Sequence, residues 1–197
     1  MEIFVTLLLI LWILFDVNYF IYAFLTFLYG FIKGLISPIN LMDESVIYGL
    51  CMTNDMDLQW HMNNGRYLRN CDFGRFIHIM ETKIYPTARR LGANMYLAGS
   101  NIRYRRSLQL FDVYRIHTRI LCWDDKAVYL EQSVLRHKDN FVCAVCVLKM
   151  VVAGSGSNPQ KIIDVMQPGL KSPEPLPEVS KWIESIALSS ERLRKSL

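Results

Sequence analysis

The stretch Asn54-Asp55-Met56-Asp57-Leu58-Gln59-Trp60-His61-Met62-Asn63-Asn64-Gly65-Arg66-Tyr67 is the most informative part of the chain. It gathers two carboxylates, an imidazole and two adjacent amides into a short polar loop between an apolar segment and a predicted helix. A loop that only connects two elements needs turn-forming residues, and that need does not explain this spacing. The unpaired N–H groups and positive dipole end of a helix start favour chemistry at such a place. Asn63 or Asn64 is expected to be the N-cap of the helix.

The loop resembles the pattern of the 4-hydroxybenzoyl-CoA-thioesterase-like branch of the hotdog fold. That pattern has Asp-x-Asp, then His-x-Asn-Asn and Tyr, followed by an acid and an Arg. The matching positions here are Asp55, Asp57, His61, Asn63, Asn64, Tyr67, Asp72 and Arg75. A closer resemblance to one member of the family is carried by residues 61–69, 104–108, 123–125 and 141–144. The resemblance covers nearly the whole chain and implies the α+β class, with a single hotdog domain.

The resemblance also assigns roles to residues of the loop. Asp57 is the expected catalytic carboxylate, which attacks the thioester carbonyl or activates water, while His61 orients it or shares the role of base. Asn63 is expected to position the water or the carbonyl. Backbone N–H groups at Asn64 and Gly65 are expected to stabilise the developing oxyanion.

Three further groups have two interpretations each. Tyr67 belongs either to the oxyanion side of the site or to the core, with a tethered hydroxyl. Asp72 is either a second acid or an ion-pair partner of Arg75. The strand arginines either contact coenzyme A phosphates or form a solvated strand face. These arginines are Arg103, Arg105 and Arg106.

Two positions depart from the family pattern, and two functions stay open as a result. Acyl-carrier-protein thioesterases with a similar loop have Asn where this chain has Gln59, and many relatives have Gly-Asp where it has Phe111-Asp112. The first function is a membrane-anchored acyl-CoA or acyl-carrier thioesterase that works as a homodimer. The second is a non-catalytic hotdog protein of the endoplasmic reticulum that binds acyl ligands or partner proteins in lipid homeostasis.

Composition excludes several other classes of protein. The 197 residues suffice for one domain and a targeting segment. The formal net charge of +4 is too small, and too mixed with acids, for a nucleic-acid surface. The sequence has no zinc-ligand spacing, phosphate loop, nucleotide fingerprint or Gly-x-Ser-x-Gly motif. No metal, cofactor or nucleic acid is therefore expected.

The N-terminal residues are almost continuously apolar. A membrane-spanning helix needs about 20 apolar residues, so we predict one anchor that begins near Ile3, with Asp16 towards one interface. The aromatic residues from Tyr19 onward are then expected at headgroup level. A cleaved signal peptide, which would give a secreted protein, is the alternative. The sequence Phe15-Asp16-Val17 is a poor cleavage site for it.

Two features favour a cytosolic domain, and the resemblance implies the endoplasmic-reticulum membrane. Lys33 places a positive charge on the C-terminal side of the anchor. The five cysteines are an odd number without framework-like spacing, which suits a reducing compartment. Cys143-x-x-Cys146 resembles half of a redox or zinc motif, but it lies in a predicted strand and is expected to be core.

The chain divides into four predicted segments: an anchor (1–36), a linker (37–44), the hotdog domain (45–157), and a Pro-rich segment with a C-terminal amphipathic helix (158–197). The predicted domain has a strand, a long helix ended by Pro86 and Gly92, and four further strands. The spans of these six elements are 45–52, 65–82, 95–106, 112–123, 126–137 and 141–153. Cys122 is predicted to share a strand face with Ile120. An antiparallel sheet wrapped round one long central helix has exposed edges, which family members cover by forming dimers.

Overall fold

The computed structural model describes residues 1–154 and 158–195. Its helices are α1 Glu2–Leu14, α2 Val17–Ile36, α3 Asn64–Glu81, α4 Ile84–Arg90, α5 Pro159–Met166 and α6 Pro177–Lys195. Its strands are β1 Ser45–Leu50, β2 Ala93–Tyr104, β3 Val113–Trp123, β4 Ala127–Arg136 and β5 Val142–Gly154. Residue 157, the predicted end of the hotdog segment, and residues 196–197 of the predicted tail lie outside the described residues.

The five strands form one antiparallel sheet in the order β1-β3-β4-β5-β2. The long helix α3 packs against one face of this sheet, which confirms the predicted α+β hotdog architecture. Gly74 permits the close approach, since an added Cβ would lie 3.1 Å from side-chain atoms of Ile116 and of Thr118. Glycine in a helix interior is destabilising by about 1 kcal/mol relative to alanine, and this contact explains why it is tolerated here.

The C-terminal helix α6 covers the opposite face of the sheet. The rings of Trp182 and Tyr129 meet edge to face with centroids 6.4 Å apart, and Val179 is buried in the same cluster. The prediction that Cys122 shares the face of Ile120 is wrong. The strand pairing shifts register between these two residues, and this irregularity turns Cys122 towards α6.

Two short helices, α4 and α5, are absent from the sequence prediction. After α3, Lys83 adopts a left-handed φ of +62° and separates the two helices. Pro86, which was predicted to end the long helix, lies in the first turn of α4. Proline is tolerated in a first turn because those backbone N–H groups have no acceptor within the helix. α5 begins at Pro159, and its cap Asn158 accepts the N–H of Gln160 at 2.7 Å.

The turn before β3 explains one departure from the family pattern. Phe111 has a φ of +64°, in the left-handed region that glycine adopts without a steric penalty. Its N–H donates to the carbonyl of Cys51 at 2.8 Å, so the turn remains hydrogen-bonded. The chain therefore keeps a glycine-type backbone with a phenylalanine side chain on it.

The apolar N-terminus forms two helices and not one. They separate at Phe15 and Asp16, and the Asp16 carboxylate caps α2 by accepting the N–H of Tyr19 at 3.1 Å. A single anchor that begins near Ile3 is therefore not what the chain forms. Among the described residues, α2 is the one helix long and apolar enough to cross a membrane, judged by length and composition. The aromatic residues that were expected at headgroup level lie inside this helix.

α2 lies along α3 and runs parallel to it. At the beginning of α2, Asp16 pairs with Arg69 of α3 at 2.5 Å. Midway, an added Cβ on Gly30 would lie 3.2 Å from the Cα of Ile77. Near the end, Lys33 forms an ion pair with Glu81, the last residue of α3. The sheet, α3 and α2 therefore form three successive layers, and the outer side of α2 is exposed and apolar.

Candidate functional site

The loop that precedes α3 folds as a small hairpin. Met56 and Met62 form an isolated antiparallel bridge, and the N–H of Asp57 donates to the carbonyl of His61 at 3.0 Å. Trp60 closes the turn with a left-handed φ of +58° and donates its N–H to the carbonyl of Asp57. This geometry brings the Asp57 carboxylate within 3.3 Å of Nδ1 of His61.

Gln59 completes this cluster. Its backbone N–H donates to Oδ1 of Asp57 at 2.9 Å, and its side-chain oxygen lies 3.0 Å from Nε2 of His61. The longer amide, which departs from the family pattern, therefore reaches the histidine that Asn accompanies in acyl-carrier-protein thioesterases. The side chains of Asp57 and His61 are 24% and 25% exposed, so both remain accessible to a ligand.

The first turn of α3 is capped by Asn63, which settles the choice between the two adjacent amides. The Asn63 side-chain oxygen accepts the N–H of Gly65 at 2.9 Å. The carbonyl of Asn64 accepts the hydroxyl of Tyr104 at 2.8 Å, which ties the end of β2 to this helix start. The Gly65 N–H is thus engaged, and Asn63 must release it before Gly65 can serve an oxyanion.

Asp55 and Tyr67 have structural partners. Asp55 is buried, and its carboxylate accepts the N–H of Met52 at 3.0 Å. The Tyr67 hydroxyl accepts the N–H of Leu108 at 2.9 Å, and burial raises the pKa of this phenol to about 12. Of its two interpretations, Tyr67 therefore fits the core residue with a tethered hydroxyl.

Asp72 and two of the strand arginines have contacts outside the hairpin cluster. Asp72 forms an ion pair with the buried Arg75 one turn later in α3. Arg105 and Arg106 stand over the ring of Phe141 at 5.0 and 3.8 Å from its centroid. Arg103 is exposed on the edge strand β2. The hydrogen bond from Tyr104 to α3 places this basic strand end beside the helix start.

A buried polar cluster beneath α2 is absent from the sequence prediction. The Ser45 hydroxyl donates to Glu81 at 2.5 Å and lies 2.9 Å from Nδ1 of His78. Burial lowers the pKa of His78 to about 4, so this imidazole is neutral at neutral pH. Glu81 is 1% exposed, and Lys33 supplies its cation from α2. Serine lies between histidine and acid, which is not the order of a nucleophilic triad, so the cluster fastens β1, α3 and α2 together.

A cavity of about 660 Å³ lies between α2, α3 and β1. Its wall includes Asn54 and Asp55 from the loop and Tyr114 from β3. Asp57, two residues after Asp55, is not part of that wall. The cavity and the hairpin cluster therefore adjoin the same loop without being one pocket.

The sequence profile of the thioesterase-like superfamily matches residues 51–183. The chain is 42% identical to Protein THEM6 of Xenopus laevis over 184 residues, which are 92% of this chain and 86% of that protein. It is 38% identical to Protein THEM6 of Drosophila melanogaster over 189 residues, which are 95% and 96% of the two chains. The solved structure of the probable thioesterase YbaW from Escherichia coli matches with a TM-score of 0.57 at 17% identity, over 62% of this chain and 96% of that one. The predicted family resemblance and fold are confirmed.

Proposed function

Because the chain belongs to the thioesterase-like superfamily, we propose that it hydrolyses acyl thioesters, with coenzyme A or an acyl carrier as the leaving group. The observation that carries this proposal is the contact of 3.3 Å between the Asp57 carboxylate and the His61 imidazole. The hairpin that holds this pair leads within two residues to Asn63, the cap of α3. Thioester hydrolysis needs a base and hydrogen-bond donors for the oxyanion, and a helix start can supply such donors.

In the proposed reaction, the Asp57 carboxylate takes a proton from water while the water oxygen bonds to the thioester carbonyl carbon. The carbonyl electron pair moves to oxygen, and N–H groups in the first turn of α3 stabilise the oxyanion. When the intermediate collapses, the carbon–sulfur bond breaks, and the leaving thiolate takes up the proton that Asp57 accepted from water. His61, itself held by Gln59, positions the carboxylate.

We further propose that the active form is a homodimer. β2 is an edge strand of 12 residues, and Tyr96 and Leu97 on it are exposed. An open edge of this length invites pairing with a second strand. A partner placed there would adjoin the basic end of β2, which the hydrogen bond from Tyr104 to Asn64 ties to the start of α3.

The proposed location is the endoplasmic-reticulum membrane, with the domain in the cytosol. The outer side of α2 and the side chains of Glu2–Trp12 supply an exposed apolar surface for contact with lipid. All five cysteines are free and buried, which fits a reducing compartment. Cleavage at Phe15-Asp16-Val17 would detach Asp16, which caps α2 and pairs with Arg69, and this supports retention of the N-terminus.

Purified full-length protein assayed against a panel of acyl-CoA thioesters tests the proposal. Asp57→Asn is expected to lower kcat by about 100- to 10,000-fold, the usual range for loss of a general base. Asp125→Asn makes the same change in an exposed hairpin turn and serves as the matched control. Hydrolysis by the wild type that survives Asp57→Asn would contradict the assignment of Asp57.

The second candidate function is binding without turnover. The observation that favours it is the Gly65 N–H, which the Asn63 side chain already occupies. On this alternative the protein serves lipid homeostasis by holding acyl ligands or partner proteins. Wild-type protein that binds a non-hydrolysable acyl-CoA thioether but releases no thiol from any substrate would support it.

A further inference from the structure

The cavity between α2, α3 and β1 has a polar end and an apolar end. Because the two helices run parallel, positions along α3 also mark positions along the cavity. Arg66 and Asn70 line it near the start of α3, close to the loop, and Ile77 lines it further along. Leu25 of α2 adds an apolar side chain to the wall.

The dimensions suit a hydrocarbon chain. The volume of about 660 Å³ lies within the range of about 300–1,000 Å³ that is usual for small-molecule pockets. The span of α3 from Arg66 to Ile77 is about 16 Å at the rise of an α-helix. A linear apolar group with a polar head fits a cavity that is long, aromatic and aliphatic along its wall, and polar at one end, where Arg66 and Asn70 lie near the buried Asp55.

We propose that this cavity binds the acyl chain of a long-chain acyl ligand, with the head group at the end formed by Arg66 and the loop. The shared chemistry is a long acyl chain with an anionic or thioester head, supplied as a free fatty acid or as acyl-CoA. The inference adds the length of the acyl chain to the proposed function. It rests on that function only where the ligand is a thioester, because binding of an acyl chain does not require Asp57.

The wall formed by α2 distinguishes this cavity from the part of the protein that the family profile matches. The family match begins at residue 51, after α2 and β1 have ended, so these two walls lie outside the matched region. The outer side of α2 is exposed and apolar. A lipid surface in contact with that side would be separated from the cavity only by the width of α2, so acyl chains could enter the cavity from it.

Photolabelling of full-length protein in phosphatidylcholine vesicles tests this site. One arm uses palmitic acid with a diazirine in its chain, and the other uses palmitoyl-CoA with the same diazirine. Both arms are run on Asp57→Asn protein, so that hydrolysis consumes no probe, and labelled peptides are identified by mass spectrometry. Ile77 and Ile116 are the diagnostic positions, because both line the cavity and are buried from the outer surface of the protein.

Labelling of Ile77 or Ile116 is expected, and Thr26→Trp, which fills the cavity from the α2 wall, should lower it at least tenfold. Leu28→Trp is the matched control, since Leu28 is exposed on the same helix and does not line the cavity. Labelling of the cavity by palmitoyl-CoA alone would identify the thioester as the ligand. Labelling of the cavity in both arms would show that the acyl chain itself is recognised. Label confined to α1 and the outer side of α2 would overturn the proposal.

The photolabelling and the hydrolysis assay fail independently. Absence of label inside the cavity would remove the chain-binding site and leave Asp57-dependent hydrolysis as it stands. Absence of hydrolysis in the wild type would remove the enzymatic proposal and leave the labelling result valid. If circular dichroism shows that Thr26→Trp does not fold, the position of the label in Asp57→Asn protein alone decides the question.

Discussion

The helices α1 and α2 have the same apolar character, yet they stand in different relations to the domain. α1 exposes Glu2–Trp12 and Leu14 to the surroundings. α2 lies along α3 and is fastened at both ends, by Asp16 with Arg69 and by Lys33 with Glu81. Gly30, between these two ion pairs, and Gly34, next to Lys33, let the two backbones approach closely.

The two helices differ in their charged and glycine contacts with α3 and not in apolar character, so apolar content does not explain which helix joins the domain. Apolar residues make both helices compatible with lipid. Glycine at a helix interface permits close packing that larger residues prevent. A buried carboxylate such as Glu81 requires a cation, and Lys33 is the one that α2 brings.

Stepwise truncation should give the largest difference between α1 and α2 in their contribution to the unfolding free energy. Deletion of residues 2–14 is expected to leave the unfolding free energy of the domain within about 0.5 kcal/mol of the full chain, because every described side chain of α1 is exposed. Deletion of residues 2–36 should lower it by at least about 3–5 kcal/mol, since the domain then loses the ring contacts of Tyr19 and Tyr22 with Phe73 as well as both ion pairs of α2. Thermal and urea unfolding in the same detergent measure both. Equal effects of the two deletions would refute the distinction.

Loss of the charge at Lys33 should produce the next largest effect. Lys33→Met is expected to lower the unfolding free energy by about 2–3 kcal/mol, less than for a fully buried pair, because the Lys33 side chain is 34% exposed. Lys33→Arg keeps a cation and is the control. The double variant Lys33→Met/Glu81→Gln should recover part of the loss in urea unfolding, and a double variant no better than Lys33→Met would contradict this account.

The close packing of α2 against α3 at its two glycines can be tested by replacing each glycine with alanine, which adds a single methyl group. An added Cβ on Gly34 would lie 2.5 Å from the carbonyl oxygen of Met80, whereas one on Gly30 would have 3.2 Å to its nearest atom. Gly34→Ala should therefore lower the unfolding free energy by about 1–2 kcal/mol through overpacking, although alanine favours an isolated helix. Gly30→Ala is the matched comparison and should lose less. The reverse ranking in denaturant titrations would show that α2 is not held where we describe it.

The smallest effect is expected at Asp16. Asp16→Ala removes both the cap and the ion pair and should lower the unfolding free energy by about 1 kcal/mol. Asp16→Asn keeps a capping side chain and loses only an exposed ion pair, for an effect of about 0.5 kcal/mol or less. The difference between the two variants, measured in parallel unfolding curves, isolates the cap. No difference would mean that the ion pair with Arg69 carries the whole contribution.

The sequence predicts features that neighbouring residues determine. The helix start and the strands β3 and β4 follow from capping and periodicity, and the pair Asp57 and His61 follows from a motif. What escapes prediction depends on partners that are remote in the chain. Lys33 and Glu81 meet across 48 positions, and no local pattern marks one as the partner of the other.

Single-residue irregularities are the second kind of feature that escaped prediction. The shifted pairing before Cys122 reverses one strand face, and Lys83 turns the chain sharply enough to separate α4 from α3. Gln59 reaches His61 because its backbone is held by Asp57, which a comparison of side-chain lengths does not reveal. The sequence therefore predicts that Asp57 and His61 lie together, but not the hydrogen bonds that hold them.

The parallel docking of α2 has a consequence for biosynthesis. α2 leaves the ribosome before α3 does, and for that interval its glycine-lined side has no protein surface to cover it. If α2 crossed a bilayer, Lys33 would leave Glu81 uncompensated in the closed domain. Translocation of this helix and completion of the fold are thus competing fates, and the outcome depends on which happens first, capture by the insertion machinery or emergence of the residues up to Glu81.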